Sequence, residues 1–184
     1  GLAAPIESRV RSAFVFAVDA PPRGFTNLLD PTWRGHGIYA RPYGDGRFMA
    51  ITAPQPEDDP ETDELRVDGR LFDEVLRPAL ERRVRGFSGM RVVDAWAGLY
   101  ELSTFDTNGF VGQDPALPRF VWATGFSGHG LMHAPAVGRA VAELVTTGGF
   151  AAIDLGAFSI ARVAAGRPID DRHISEPRTS GAGI

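Results

Sequence analysis

Apolar and polar positions along the chain fall into short segments whose spacing switches between strand and helix periods. Val10–Asp19 is dominated by β-branched and aromatic residues and is ended by Pro21-Pro22, which predicts a strand. Gly37–Pro42 and Arg47–Thr52 flank Tyr43-Gly44-Asp45-Gly46, and Asp-Gly between two apolar-alternating runs predicts a β-hairpin. The polar, proline-containing stretch Pro54–Asp68 reads as a loop whose carboxylates form a solvated surface. Asp68 can cap a helix over about 69–85 with Leu71, Phe72, Val75, Leu76, Ala79 and Leu80 on one face. Pro78 inside it predicts a kink or two short helices, because proline costs about 3 kcal/mol in a helix interior.

Arg91–Leu102 reads as a long strand in which Gly98 marks a bulge or a close approach. A turn at Asp106-Thr107-Asn108-Gly109 follows, then a short apolar strand Phe120–Ala123 suited to a buried sheet position. Next comes Thr124-Gly125-Phe126-Ser127-Gly128-His129-Gly130, leading into a helix to about Thr147 that Gly148-Gly149 stops. Val137, Val141, Leu144 and Val145 form its apolar stripe; Ala134, Gly138 and Ala142 allow close packing. Pro135 is tolerable only in the first turn. The segment from about Ser175 has no periodicity and is expected to fray.

A strand, a glycine turn and a helix together aim unpaired helical N–H groups at an anion or a polar ring edge. The spacing Gly125, Gly128, Gly130 does not fit G-x-G-x-x-G, and no acidic residue follows at the ribose-binding distance. It also fails the nucleophile elbow G-x-S-x-G, since His129 stands where the last glycine belongs. His129 and His133 are four apart, as two metal ligands on one helix face would be, but no Glu adjoins His129 as in H-E-x-x-H. One His on the turn and one on the helix surface is the reading adopted, with no metal.

Composition narrows the classes. The 184 residues suit one domain or one domain plus an appendage, and 43% hydrophobic residues with 10% aromatics can build a core. All 19 basic residues are Arg against 23 Asp and Glu, and this charge of −4 argues against nucleic acid as a partner. The absence of Cys excludes disulfides, thiolate metal sites and a Cys-linked prosthetic group. No apolar run approaches the ~18 residues of a membrane span, so a soluble, cytoplasmic protein is expected.

Three blocks carry a resemblance: Trp96-Ala-Gly98-Leu-Tyr100, Asn108-Gly-Phe-Val-Gly112, and Ala123-Thr-Gly125-Phe-Ser-Gly128-His-Gly130 running on to Ala134-Pro-Ala-Val-Gly138-Arg-Ala-Val-Ala-Glu143. Together they resemble the C-terminal part of FAD-dependent oxidoreductases of the D-amino-acid oxidase, glycine oxidase and sarcosine oxidase superfamily. The similarity is nearest to the branch of FAD-dependent oxidoreductase domain-containing proteins. Ile38-Tyr-Ala-Arg41-Pro and Leu71-Phe72 through Pro78-Ala-Leu80 fit the same branch.

The resemblance implies an α+β fold: a mixed, largely antiparallel sheet with flanking helices over 2–117, and over 118–174 the closing strand, glycine turn and helix of an incomplete FAD-binding domain. Residues 175–184 would be a disordered tail. It implies FAD as cofactor, with Gly125, Phe126, Ser127, Gly128, His129, Gly130, Leu131 and Met132 against the ring and their N–H groups stabilising negative charge on reduced flavin. The substrate would be an amine or N-substituted amino acid. Sarcosine oxidases carry a Lys where this chain has Met132, and glycine and D-amino-acid oxidases carry a G-x-R-P arginine where it has Tyr100 followed by Glu101. Arg41 is then the best cationic candidate for the substrate, with Tyr39 and Tyr100 as lining. Read without the resemblance, Tyr39, Tyr100 and Trp96 are core residues, and Arg41 is equally a surface or structural one.

Two functional readings follow. In the first the chain is part of an FAD-dependent oxidoreductase and needs a dinucleotide-binding half, from an upstream domain or a partner chain bearing G-x-G-x-x-G. Alone it would be inactive, with the stripe of the 130–147 helix exposed, self-associated or covered by another chain. In the second it is a non-catalytic binding module without flavin.

Overall fold

The computed structural model describes residues 3–34 and 36–170. Among them the chain divides into two compact units, residues 9–99 and residues 3–8 with 100–170. The expected tail 175–184 lies outside the described residues. The long strands β1 (Ile6–Ala17) and β5 (Arg91–Ser103) each run from one unit into the other.

The 9–99 unit is built on an antiparallel sheet. With β2 (Leu28–Trp33), β3 (His36–Gly44) and β4 (Arg47–Thr52) the strand order is β2-β3-β4-β1-β5. The β3–β4 hairpin forms at Asp45-Gly46 as predicted: both residues have positive φ (52° and 73°), the combination a tight hairpin needs. The strand β2 was not foreseen. Pro31 lies inside it, at an edge of the sheet where the register with β3 shifts between Asp30 and Trp33, and there a missing N–H is tolerated.

One face of this sheet carries the core. Phe14, Phe16, Ile38, Ala40, Phe48 and Ala50 are buried there with Leu71, Phe72, Leu76, Ala79, Leu80 and Phe87. Phe16 meets Phe87 edge-on at 5.2 Å and stacks on Phe48 at 5.6 Å, while Phe72 lies 5.4 Å from Phe14. The segment over it divides at Pro78 as expected. Leu71–Leu76 is a π-helical turn, and α1 (Arg77–Arg83) follows with the proline in its first turn, where no N–H is missed. Asp68 accepts the Arg70 N–H at 3.1 Å at the start of the segment. The 54–68 stretch is largely irregular, but Asp59 is no solvated carboxylate: Arg11 grips it through two bonds of 2.7 and 2.8 Å.

Three expectations are corrected here and in the second unit. Trp96 is no core residue; it is 40% exposed on the edge strand β5, its ring 6.3 Å from Tyr43. Gly98 marks no close approach, since a Cβ there would meet nothing within 4 Å. The apolar strand after Phe120, β7 (Val121–Thr124), is only half-buried, because it pairs with β6 (Phe110–Gln113) in a sheet of two strands.

In the second unit α2 (Gly130–Thr147) ends at Gly148, whose φ of 80° forms the left-handed cap expected of it. Pro135 lies in the second turn rather than the first, so the Leu131 carbonyl loses its α-helical partner. Of the expected stripe Leu144 is buried, beside Ala140, whereas Val145 is 70% exposed.

A buried ion pair organises this unit. Arg162, on the short helix α3 (Ala161–Ala164), meets both Asp106 oxygens at 2.9 and 3.0 Å and donates to the carbonyls of Asn108 (2.9 Å) and Phe158 (2.8 Å). Its guanidinium lies 4.1 Å from the centre of the Phe110 ring. Asp106 also accepts the N–H groups of Asn108 and Ile169. Burial pushes the Asp106 carboxyl up, but the Arg162 bonds and these N–H groups outweigh it and hold it below the ordinary 3.8. Glu143 on α2 accepts the N–H groups of Ala152 and Ala151 and a bond from Arg139, which bring its carboxyl from 4.5 down to about 2.

Replacing Arg162 by Met is expected to lower stability by about 3 kcal/mol in urea unfolding, because Asp106 is left buried and charged. Both carboxyls have lowered folded-state pKa values, so their stabilisation is complete above 3.8 and 4.5 and is lost as pH falls below those values. In acid titrations followed by circular dichroism, Glu143→Gln should lose stability less steeply than the parent chain between pH 4.5 and about 2.

Candidate functional site

The turn between β7 and α2 has Gly125, Ser127 and Gly128 in the left-handed region, with φ of 74°, 46° and 86°. Only glycine adopts this region without strain, so Ser127, 4% exposed, must be held there by its surroundings. The holding comes from the end of β5. The Ser127 N–H donates to the Glu101 carbonyl at 3.2 Å, the Tyr100 hydroxyl donates to the Ser127 carbonyl, and the Ser103 N–H donates to Ser127 Oγ at 3.0 Å.

The Glu101 side chain adds three bonds: from the Thr124 hydroxyl at 2.7 Å, the Gly125 N–H at 2.9 Å and, at the long limit of 3.4 Å, the Phe126 N–H. Packing fixes the rest. A Cβ on Gly128 would stand 2.8 Å from Tyr100 Cε2, one on Gly125 would crowd Ile6 and Phe110 at 3.2 Å, and one on Gly109 would overlap the Phe126 ring. The second and third blocks read in the sequence are therefore one packed unit.

Not all the expected flavin-facing amides are open. Those of Gly125, Phe126, Ser127 and His129 are engaged, the last with the Phe126 carbonyl. Gly128, Gly130, Leu131 and Met132 have N–H groups with no partner among the described residues, the last three forming the first turn of α2. Leu131 and Met132 are 87% and 63% exposed. His129 precedes the helix without a side-chain cap, and its ring lies 6.1 Å from His133. Among the described residues no three His, Asp or Glu side chains are grouped as a metal ion would need.

This donor set fits a cofactor edge rich in carbonyl and ring-nitrogen acceptors: four N–H groups at the positive end of an 18-residue helix, with no side chain capping them.

Of the three expected substrate residues, the structure brings two together. Tyr39 and Arg41 are two apart on β3, opposite Ile51 and Met49 of β4, on the face away from Ile38 and Ala40. The Arg41 guanidinium donates to the Pro42 carbonyl at 3.0 Å and lies 5.8 Å from the centre of the Tyr43 ring; no carboxylate pairs with it among the described residues. Tyr100 belongs to the other unit, where it supports the turn. Sequence reasoning missed Glu101 as a part of the turn, since its partners lie 23 to 25 residues further on and no local pattern announces them.

The family model described as FAD dependent oxidoreductase matches residues 2–144. The FAD-dependent oxidoreductase domain-containing protein 1 of Xenopus laevis is 39% identical over 176 residues, 95% of this chain and 34% of the relative. That of Bos taurus is 41% identical over 164 residues, 88% of this chain and 33% of the relative. The chain thus spans about a third of the length of the curated relatives it matches. The crystal structure of L-proline dehydrogenase from P. horikoshii superposes with a TM-score of 0.71 at 26% identity, covering 91% of this chain and 42% of that one. The chain belongs to the FAD dependent oxidoreductase family, and its α+β fold with a largely antiparallel sheet is that family's. Among the described residues no helix is long and apolar enough to cross a membrane.

Gly128→Ala should destabilise the protein by about 1–3 kcal/mol, because it adds a Cβ against Tyr100 at a positive φ. Gly138→Ala, inside α2 with nothing within 4 Å, should instead stabilise it by up to about 1 kcal/mol. Paired denaturant melts of the two variants measure the contrast.

Proposed function

We propose that this member of the FAD dependent oxidoreductase family is the substrate-domain and closing-helix portion of an enzyme that oxidises an amine or N-substituted amino acid by hydride transfer to flavin. The observation that carries the reading is the group of unpartnered N–H donors at Gly128, Gly130, Leu131 and Met132. A bound flavin supplies a two-electron acceptor that no side chain of this protein can replace.

The chain's own part is to bind and orient. The four amides are fixed dipoles, already ordered by the turn, aimed at a place where negative charge can accumulate. Arg41 supplies a guanidinium for an anionic group of the substrate, and Tyr39 beside it supplies an aromatic wall; Tyr100 contributes through the turn. Residues 2–117 serve the substrate and 118–174 the flavin. The pyrophosphate of FAD calls for a G-x-G-x-x-G turn at a helix N-terminus, which these 184 residues lack. Its source is an upstream domain or a partner chain, and the exposed Leu131 and Val145 of α2 suit cover by that half or by a second copy.

The visible absorption spectrum of the protein from its native source tests the reading, with the flavin bands present and bleached by an amine substrate as the expected result. The 184-residue chain alone should be colourless and without amine turnover, and supplying a G-x-G-x-x-G domain should confer both properties. A protein from the native source without flavin, indifferent to such a domain, would point to a non-catalytic binding module.

A further inference from the structure

A turn whose amides converge on a concavity attracts an anion. Here the anion is internal. The Glu101 carboxylate accepts from Thr124, Gly125 and Phe126, while its carbonyl accepts from Ser127, so one residue serves four consecutive positions of the turn. Two of those positions, Gly125 and Ser127, have positive φ, and Ser127 is not a glycine. Backbone of this kind persists only where its surroundings over-determine it.

We propose that Glu101 is a positioning residue: its carboxylate is a built-in counter-anion that holds the glycine turn in its cofactor-ready shape before a ligand arrives and sets the potential the turn offers a flavin. The inference rests on the flavin reading above and gives it a direction. Two amides are withdrawn from the ligand, so ring contacts fall to Gly128, Gly130, Leu131 and Met132. The fixed negative charge beside them opposes build-up of negative charge on a reduced ring, so it holds the flavin potential lower than a neutral residue would. Tyr100, next to Glu101, is bound to the same turn through the Ser127 carbonyl.

Two variants separate shape from charge. Glu101→Gln keeps the length and one acceptor oxygen but removes the charge; Glu101→Ala removes both. Amide hydrogen exchange on the 184-residue chain reads the turn without cofactor, and in Glu101→Ala the Gly125 and Phe126 amides should exchange at least about tenfold faster, with a smaller increase in Glu101→Gln. In the flavin-loaded assembly, Glu101→Gln should shift the flavin midpoint potential upward at an unchanged melting temperature, an effect that a purely structural role would not produce. Unaltered exchange in Glu101→Ala overturns the holding role, and an unaltered potential in Glu101→Gln overturns the electrostatic one. An assembly that holds no flavin overturns the functional reading itself, and the exchange measurement still decides whether Glu101 holds the turn.

Discussion

A chain that doubles back through three left-handed residues leaves its amides and carbonyls without the partners a helix or strand would provide, and buried polar groups must be served. That demand governs the 100–170 unit. The last residues of β5 meet it: Tyr100 for the Ser127 carbonyl, Glu101 for the amides of Gly125 to Ser127, and Ser103 for the Ser127 hydroxyl. With those bonds made, α2 starts at Gly130 with its first amides uncommitted. A helix start carrying a Ser or Asp cap of its own would have fewer donors to offer.

Where local chemistry decides, the sequence is readable. Asp45-Gly46 has one good geometry between two strands, Gly148 one good role after a helix, and Pro78 one place where its ring is harmless. Residue pairs far apart in sequence leave no such mark. Asp106 reads locally as a turn residue, yet its chief partner is Arg162, 56 positions on, and the Glu101 carboxylate looks like surface until the turn is folded beside it. Burial fails to be legible for a related reason. An apolar run such as 120–123 announces a covered strand, but whether a cover exists is decided outside the run, and the two-stranded β6–β7 sheet provides none in these residues. Of the candidate site, the glycine turn and the Tyr39–Arg41 pair could be read. The rationing of the amides could not.

The exclusive use of arginine gives these long-range pairs their form. A planar fork can meet both oxygens of a carboxylate, as Arg11 does with Asp59, or spread over a carboxylate and several carbonyls, as Arg162 does. A lysine ammonium could hold Asp106, but could not reach the carbonyls of Asn108 and Phe158 in the same plane. Each fork ties together segments that strand pairing leaves loose: the 54–60 stretch in one unit, and the 156–169 region in the other.

The π-helical turn at Leu71–Leu76 has a further consequence, for the length of the chain rather than its composition. Within this wider turn Leu71, Phe72 and Leu76 are buried, on the apolar side that continues through Ala79 and Leu80. Each residue of a helix advances by about 100°, so losing one position between Phe72 and Arg77 would turn Phe72 relative to Ala79 and Leu80 and away from Phe14 and Phe16. Conservative exchanges of side chain there change volume alone, whereas an insertion or deletion changes the register of the whole lid over the sheet. Family members with this core are therefore expected to vary in sequence across 71–76 and to keep its residue count.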